Sequence, residues 1–79
     1  MGDVSTIGLD IAKSVFQAHG ADASGAVVFR KKLSRGRLLT FFADQPPCLV
    51  AMEACAGAHY WGRELMRLGH TVRLIPRPT

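Results

Sequence analysis

Ile7-Gly8-Leu9-Asp10-Ile11-Ala12-Lys13-Ser14 is a short apolar run that carries a single acid, Asp10, near its end. A second run, Cys48-Leu49-Val50-Ala51-Met52-Glu53-Ala54, places Glu53 in the same relative position. An ionised carboxylate in an apolar segment is costly unless its charge is compensated. Two such acids at matching strand ends indicate one shared partner, and a divalent cation is the usual one. The two runs therefore predict a metal-dependent active site, or half of one.

The pattern of apolar and turn residues around these runs predicts the first half of the fold. Residues 5–10 form the first strand, and residues 15–21 and 26–32 form a hairpin across the turn at residues 22–25. Ser34 suits the N-cap of a first helix, with Leu33 and Leu38 placed as a hydrophobic staple. We expect this helix to bury Leu38, Leu39, Phe41 and Phe42, and Pro46-Pro47 to end it.

The second half is predicted to be a βαβ unit. Residues 48–53 are apolar on both faces, as an inner parallel strand should be. A helix follows Gly57 and buries Trp61, Leu65 and Leu68, and Gly69 suits its C-terminal cap. Residues 71–75 form the last strand. The order β-β-β-α-β-α-β with a mixed five-stranded sheet is an α/β fold and corresponds to the opening, N-terminal half of a ribonuclease H-like fold.

This topology brings the two acids together. If the first and fourth strands pair in parallel about 4.8 Å apart, Asp10 and Glu53 lie side by side at the sheet edge where α/β proteins place their sites. Oxygen ligands suit Mg²⁺ or Mn²⁺, which we expect two carboxylates to bind only weakly. Paired metals about 4 Å apart support phosphodiester chemistry. The alternative is that backbone N–H groups or Lys13 satisfy both acids.

Length and composition set limits on these predictions. The 79 residues form one domain, residues 1–79, and 48% hydrophobic with 20% charged residues is typical of a globular chain. Two cysteines make no disulfide framework, and the apolar runs are far shorter than the roughly 20 residues that a membrane span needs. We therefore expect a cytoplasmic protein in a reducing compartment, with no membrane partner.

Positive charge is concentrated in one segment. Ten Lys and Arg against six Asp and Glu give a net charge of +4, and five of the cations lie within residues 30–37: Arg30, Lys31, Lys32, Arg35 and Arg37. Clustered cations neutralise phosphates, which indicates nucleic-acid binding. An edge strand protected from aggregation by its charges would give the same pattern, and the cluster alone does not favour either interpretation.

Both acidic runs resemble the DEDD-type, RuvC-like transposases of bacterial insertion sequences, the recombinases associated with a structured bridge RNA. The resemblance rests on residues 7–13, on Met52-Glu53-Ala54-Cys55-Ala56-Gly57-Ala58-His59-Tyr60-Trp61 and on residues 69–76. It implies that Asp10 and Glu53 are the first two catalytic, metal-binding acids of a tetrad. It also implies metal-dependent DNA cleavage and joining, with DNA and a guide RNA as partners. Lys13 and His59, close to these acids in sequence, are candidate phosphate contacts.

The chain also departs from this family. Its other acids (Asp3, Asp22, Asp44 and Glu64) are not placed to complete the tetrad. We therefore expect a truncated N-terminal transposase domain that is inactive alone. Because two helices cannot cover both faces of five strands, we also expect an apolar patch and a homo-oligomer, with contributions from Phe41, Phe42, Trp61 and Leu65.

Two other classes of protein remain possible. The strand ending in Asp10, followed by a hairpin, also resembles sugar-kinase and actin-like ATPases, although Ala12-Lys13-Ser14 lacks their glycine. A non-catalytic nucleic-acid-binding or oligomerisation module is the third interpretation. ATP binding would favour the ATPase, and Mg²⁺-dependent RNA binding the transposase.

Overall fold

The computed structural model describes residues 4–11 and 15–76. Its elements are β1 (Thr6–Ile11), β2 (Val15–Ala21), β3 (Val27–Ser34), α1 (Arg35–Ala43), β4 (Leu49–Glu53), α2 (Ala58–Arg67) and β5 (Thr71–Ile75). The strands form one sheet in the order β3-β2-β1-β4-β5. β2 is antiparallel to both of its neighbours, and β1, β4 and β5 are mutually parallel. The predicted α/β element order and mixed five-stranded sheet are confirmed, including the parallel pairing of β1 with β4.

Both helices pack on the same face of the sheet. Trp61 of α2 meets Phe16 of β2 edge-to-face, with ring centroids 5.1 Å apart. One apolar cluster joins the helices to the central strands, and its largest fully buried side chains are Phe16, Phe42, Ile7, Leu9, Leu38, Met52, Leu65 and Val50. Because side chains alternate along a strand, every second strand residue points into this cluster. Within the described residues, no helix covers the opposite face.

The expectation that the helices contribute apolar side chains to an oligomer contact is wrong for Phe42, Trp61 and Leu65, whereas Phe41 is partly buried against the same core. Phe42, Trp61 and Leu65 are at most 6% exposed and belong to the core of their own chain. They are therefore not free to contact a second copy. The uncovered sheet face is mixed, because it carries charged and polar side chains such as Arg30 and Gln17 and also the apolar Ile75, which pairs with Glu53 and is 45% exposed.

The start of α1 lies close to its predicted position, but the predicted N-cap residue makes no capping hydrogen bond through its side chain. β3 continues through Ser34, two residues beyond the predicted end at residue 32, and α1 begins at Arg35. Ser34 is extended and occupies the N-cap, yet its side chain makes no capping hydrogen bond. Leu33 and Leu38 are both buried in the core, as the staple predicted. Packing, and not the serine hydroxyl, therefore fixes the start of α1.

The end of α2 follows the predicted glycine stop. Gly69 has φ +95°, the left-handed conformation that glycine adopts without a Cβ penalty. Its N–H donates to the Met66 carbonyl at 3.0 Å, and the His70 N–H donates to the Leu65 carbonyl at 3.2 Å, which is the Schellman pattern. Leu68 occupies the C-cap and is 37% exposed, so its predicted burial is wrong.

Neither helix is long and apolar enough to cross a membrane, among the residues described.

Candidate active site and nucleic-acid surface

Asp10 and Glu53 lie at neighbouring strand ends on the uncovered face. The parallel register of β1 and β4 runs from Thr6 with Leu49 to Leu9 with Met52, so Asp10 and Glu53 are the next residues of each strand. Leu9 and Met52 are buried against the helices, and both acids therefore point the opposite way. The acids line one open cavity of about 390 Å³ together with Ile11 and Cys55.

His19 is a member of this site that the sequence analysis did not identify. It lies opposite Gly8 in the antiparallel register of β1 and β2, on the same face as Asp10. Its Nε2 is 3.9 Å from Asp10 Oδ2, and the two side chains are 40% and 70% exposed. When protonated, His19 forms a solvated ion pair of the kind that contributes little to stability. The one feature of the sequence that could have indicated its position beside Asp10 is the distance of His19 from the hairpin turn at residues 22–25.

The donor set is compatible with a hard divalent cation that keeps most of its water. Mg²⁺ takes oxygen ligands and is commonly bound through one or two carboxylates with several waters. Asp10 and Glu53 offer such oxygens beside an open cavity. Across residues 4–11 and 15–76, no group of three or more His, Cys, Asp or Glu side chains could enclose an ion. The two carboxylates therefore suit a weak and partly hydrated site.

The basic segment is divided between the two sides of the sheet. Arg30 and Lys32 lie opposite His19 and Gln17 in the β2–β3 register, which places them on the uncovered face. Lys31 alternates to the helix side, where its Nζ lies 5.3 Å from the Phe41 ring centroid. The five cations predicted as one cluster are therefore not one surface.

The remaining two cations of the cluster belong to the helix side. The Cζ of Arg35 lies 5.5 Å from the Trp61 ring centroid, a cation–π distance. Arg37 lines a cavity of about 370 Å³ between α1 and β3 with Lys31 and Phe41. Lys32 also borders this cavity, as a residue of the edge strand can.

The other two candidate contacts are not part of the carboxylate cavity. His59 is exposed near the start of α2 and borders a separate cavity of about 190 Å³ with Met66 and Val72. Lys13 lies outside the described residues, so its predicted phosphate contact has no structural test. The site that the structure brings together consists of Asp10, Glu53 and His19.

Comparison with known proteins points to one class, the transposases of insertion sequences. The chain is 62% identical over 73 residues to a probable family 20 transposase of Pseudomonas aeruginosa. It is 47% identical over 75 residues to the transposase of insertion sequence element IS1328 of Yersinia enterocolitica. It is 39% identical over 75 residues to that of element IS1111A of Coxiella burnetii.

These matches cover most of this chain and little of the relatives. They include 92%, 95% and 95% of the chain, and 22%, 22% and 21% of the respective relatives. The chain thus spans about a fifth of the length of the curated relatives it matches. No protein-family model matches the chain, and no solved structure matches it. The similarity to transposases therefore rests on sequence.

Proposed function

We propose that the chain contributes the first two acids of a RuvC-like, DEDD-type active site to a transposase that cleaves and joins DNA. The observation that carries this proposal is the position of Asp10 and Glu53. They follow directly on paired residues of neighbouring parallel strands and line the same cavity. The similarity to insertion-sequence transposases supports the same assignment. The ribonuclease H-like identity of the fold is part of this proposal, and the observed strand order is compatible with it.

In this proposal Asp10 and Glu53 would hold Mg²⁺ or Mn²⁺, which would supply a Lewis acid for a DNA phosphate. A divalent ion held there would stabilise the charge that develops on the attacking and leaving oxygens. Asp10 and Glu53 supply anionic oxygens from rigid strand ends, which limits how far either ligand can move. His19 lies 3.9 Å from Asp10 and, when protonated, would place a positive charge beside that carboxylate.

Further parts of the proposal have separate grounds. A structured guide RNA as partner rests on the family resemblance alone. A cytoplasmic location rests on the low cysteine content and the short apolar runs, and a homo-oligomeric state rests on the sheet face that the two helices leave uncovered. The cations Arg30, Lys31, Lys32, Arg35 and Arg37, with Lys13 and His59, are the proposed nucleic-acid contacts. ATP binding would instead support the ATPase alternative.

Paramagnetic broadening by Mn²⁺ tests the metal site directly. Titration of the isotope-labelled protein should broaden the amide signals of residues near Asp10 and Glu53 first, because broadening falls steeply with distance from the ion. Asp10→Asn should abolish this selectivity, whereas Asp44→Asn, which changes an exposed carboxylate at the end of α1, should preserve it. Uniform broadening, or the same pattern in Asp10→Asn, would refute the metal site.

A further inference from the structure

The cavity of about 370 Å³ between α1 and the edge strand β3, called here the α1–β3 cavity, lies on the helix side of the sheet. It is separate from the cavity that Asp10 and Glu53 line. The α1 residues on its lining recur at the spacing i, i+3, i+4 and i+7, which is one stripe of a helix. The complete lining is Lys31, Lys32 and Leu33 from β3 and Arg37, Thr40, Phe41 and Asp44 from α1.

Positive charge in the α1–β3 cavity is not balanced by acids. Lys31, Lys32 and Arg37 are exposed cations, and Asp44 is the one carboxylate on the lining. The two ion pairs found within residues 4–11 and 15–76 include none of these four side chains. A concave site lined by an excess of one charge concentrates ligands of the opposite charge. The cavity therefore favours an anion.

Aromatic side chains hold Lys31 in position. Its Nζ lies 5.3 Å from the Phe41 ring centroid, a cation–π distance. The Phe41 ring itself meets Phe29 and Phe42 edge-to-face, with centroids 5.7 and 5.3 Å apart. Because the ammonium group is positioned before a ligand arrives, less side-chain freedom is lost on binding. Lys31 is therefore better suited to bind an anion than a lysine with no aromatic neighbour.

The donors on the lining match a phosphate group. Arg37 presents N–H donors in a planar fork that fits two phosphate oxygens, and each lysine adds a compact charge with three donors. Thr40 follows Arg37 on the same stripe of α1, and its hydroxyl is a further donor. A phosphate in this cavity would therefore meet charge and hydrogen-bond donors together.

We propose that the α1–β3 cavity is a phosphate-binding site that holds a nucleic-acid backbone on the helix side of the sheet, with Lys31, Lys32 and Arg37 as its cations. The class of ligand rests on the proposed function, and the site is the addition. Asp10 and Glu53 point to the other face of the sheet, so the phosphate bound here is not the one that reacts. The α1–β3 cavity therefore binds nucleic acid without taking part in its cleavage.

Matched double variants test the cations of the site. K31Q/R37Q removes two of them, and R63Q/R73Q makes the same change in net charge at exposed positions of α2 and β5. The probes are single-stranded DNA and RNA of one sequence and roughly 12 nucleotides, because both carry phosphodiesters. Each lost phosphate contact lowers the salt slope by about 0.7, so K31Q/R37Q should lower it by about 1.4 and weaken binding about 25-fold near 0.1 M salt. R63Q/R73Q should change the slope far less.

Removal of Asp44 should have the opposite effect. Asp44→Asn deletes the carboxylate on the lining, so the oligonucleotide should bind roughly 3-fold more tightly, the effect of one charge about 6 Å away in water. Glu64→Gln makes the same charge change on α2 and should leave the affinity near that of the wild type. Thermal unfolding of every variant establishes that the fold is retained. K32Q/R37Q, which keeps the Lys31 contact with Phe41, replaces a double variant that unfolds.

Inorganic pyrophosphate is the probe for the position of the site. The Phe41 ring shields the ε-methylene protons of Lys31, so movement of the ammonium group toward a phosphate should shift their NMR signal. The methyl signal of Thr40, on the lining, should shift as well. Thr71, an exposed residue of β5, provides the control methyl signal and should not respond.

The outcomes separate this inference from the proposed function. Equal weakening by both double variants, or equal shifts of Thr40 and Thr71, would overturn the phosphate site and leave the metal site at Asp10 and Glu53 standing. Uniform Mn²⁺ broadening would refute that metal site, whereas an intact response of Lys31 to pyrophosphate would still support the phosphate site. A chain that responds to pyrophosphate but binds neither oligonucleotide at low salt would show that nucleic acid is not the ligand, and the proposal would be wrong.

Discussion

The imidazole Nε2 of His70 lies 2.8 Å from the carbonyl oxygen of Phe42, at the centre of a buried link between α1 and the sheet. Its Nδ1 is 3.2 Å from the Cys48 backbone N, and His70 is only 4% exposed. The Cys48 N–H can only donate, so Nδ1 accepts and Nε2–H donates, which assigns the neutral tautomer from the hydrogen-bond network. One side chain thus connects the last residues of α1 to the starts of β4 and β5.

Removal of this imidazole should destabilise the chain more than removal of any exposed histidine. His70→Ala leaves the Phe42 carbonyl and the Cys48 N–H without their partner and opens a cavity beside the Phe42 ring. We expect the free energy of unfolding to fall by about 2–4 kcal/mol. Urea unfolding followed by Trp61 fluorescence measures it. The control His59→Ala, on the exposed side of α2, should change it by less than about 0.5 kcal/mol, and equal effects would contradict the linking role.

A side chain at Gly20 should be incompatible with the present position of Phe29. A Cβ there would overlap the Phe29 ring, whose Cδ2 and Cζ would lie 2.7 Å away. Gly20→Ala should therefore cost about 1–3 kcal/mol of stability through overpacking. Gly36→Ala is the control: nothing lies within 4 Å of its Cβ, and helix α1 should become more stable. In a double-mutant cycle, Phe29→Leu should recover part of the Gly20→Ala loss, and strict additivity would exclude this clash.

Asp22 should make the hairpin between β2 and β3 sensitive to acid. Its Oδ1 accepts from the Ser24 hydroxyl at 2.7 Å and from the N–H groups of Ser24 and Ala26 at 2.9 and 3.0 Å. These bonds, the Ser24 hydroxyl first, lower the pKa of Asp22 below its ordinary value of 3.8. A lowered folded-state pKa means that the stabilisation is complete above the unfolded value and is lost as pH falls through the folded one.

The pH dependence of unfolding in Asp22→Asn tests this sign. The variant should be less stable than the wild type near neutral pH, and the two should converge at pH values below the folded pKa. Asp44→Asn changes an exposed carboxylate after α1 and should not reproduce this convergence. A constant difference between Asp22→Asn and the wild type over the whole acid range would show that the charge of Asp22 has no role.

The sequence was sufficient for the element order and for the pairing of the two acidic strands. Apolar runs, the turn at residues 22–25 and the glycine at 69 each have a local physical meaning, and the structure has them where they were predicted. Parallel pairing of β1 and β4 was the condition on which the prediction of a shared site depended, and the structure has this pairing. The convergence of Asp10 and Glu53 is a consequence of that topology.

The sequence was not sufficient for relationships that depend on strand register. A bulge between Gly20 and Ala21 shifts the β2–β3 pairing by one residue, and no sequence pattern specifies it. The proximity of His19 to Asp10 depends on the β1–β2 register. The separation of Arg30 and Lys32 from Lys31 depends on which residues of β3 face the helices. The alignment of Arg73 with Arg30 across the sheet could not be predicted either, because it depends on four successive strand pairings.

Self-association should involve the sheet edges and not the helix core. β3 and β5 are the outer strands, and Val28 and Ile75 on them are 40% and 45% exposed. Unpaired strand edges are templates for a second chain, and a lysine there opposes pairing. We expect sedimentation velocity to detect a homo-oligomer that Val28→Lys shifts toward monomer, whereas Met66→Lys on α2 does not. A monomer at all concentrations would show that the expected homo-oligomer does not form.

The 79-residue chain should not cleave nucleic acid, even though Asp10 and Glu53 share a cavity. Two carboxylates hold too few of the ligands of Mg²⁺ to fix an ion against a phosphate, and no larger ligand group exists among residues 4–11 and 15–76. Incubation with labelled single- and double-stranded DNA and with RNA, in Mg²⁺ and separately in Mn²⁺, should give product at the level of a buffer blank. Asp10→Asn is the matched control because it removes one charge with little change in shape. Metal-dependent cleavage that persists through purification and disappears in Asp10→Asn would contradict the prediction, and it would mean that these two acids form a sufficient active site.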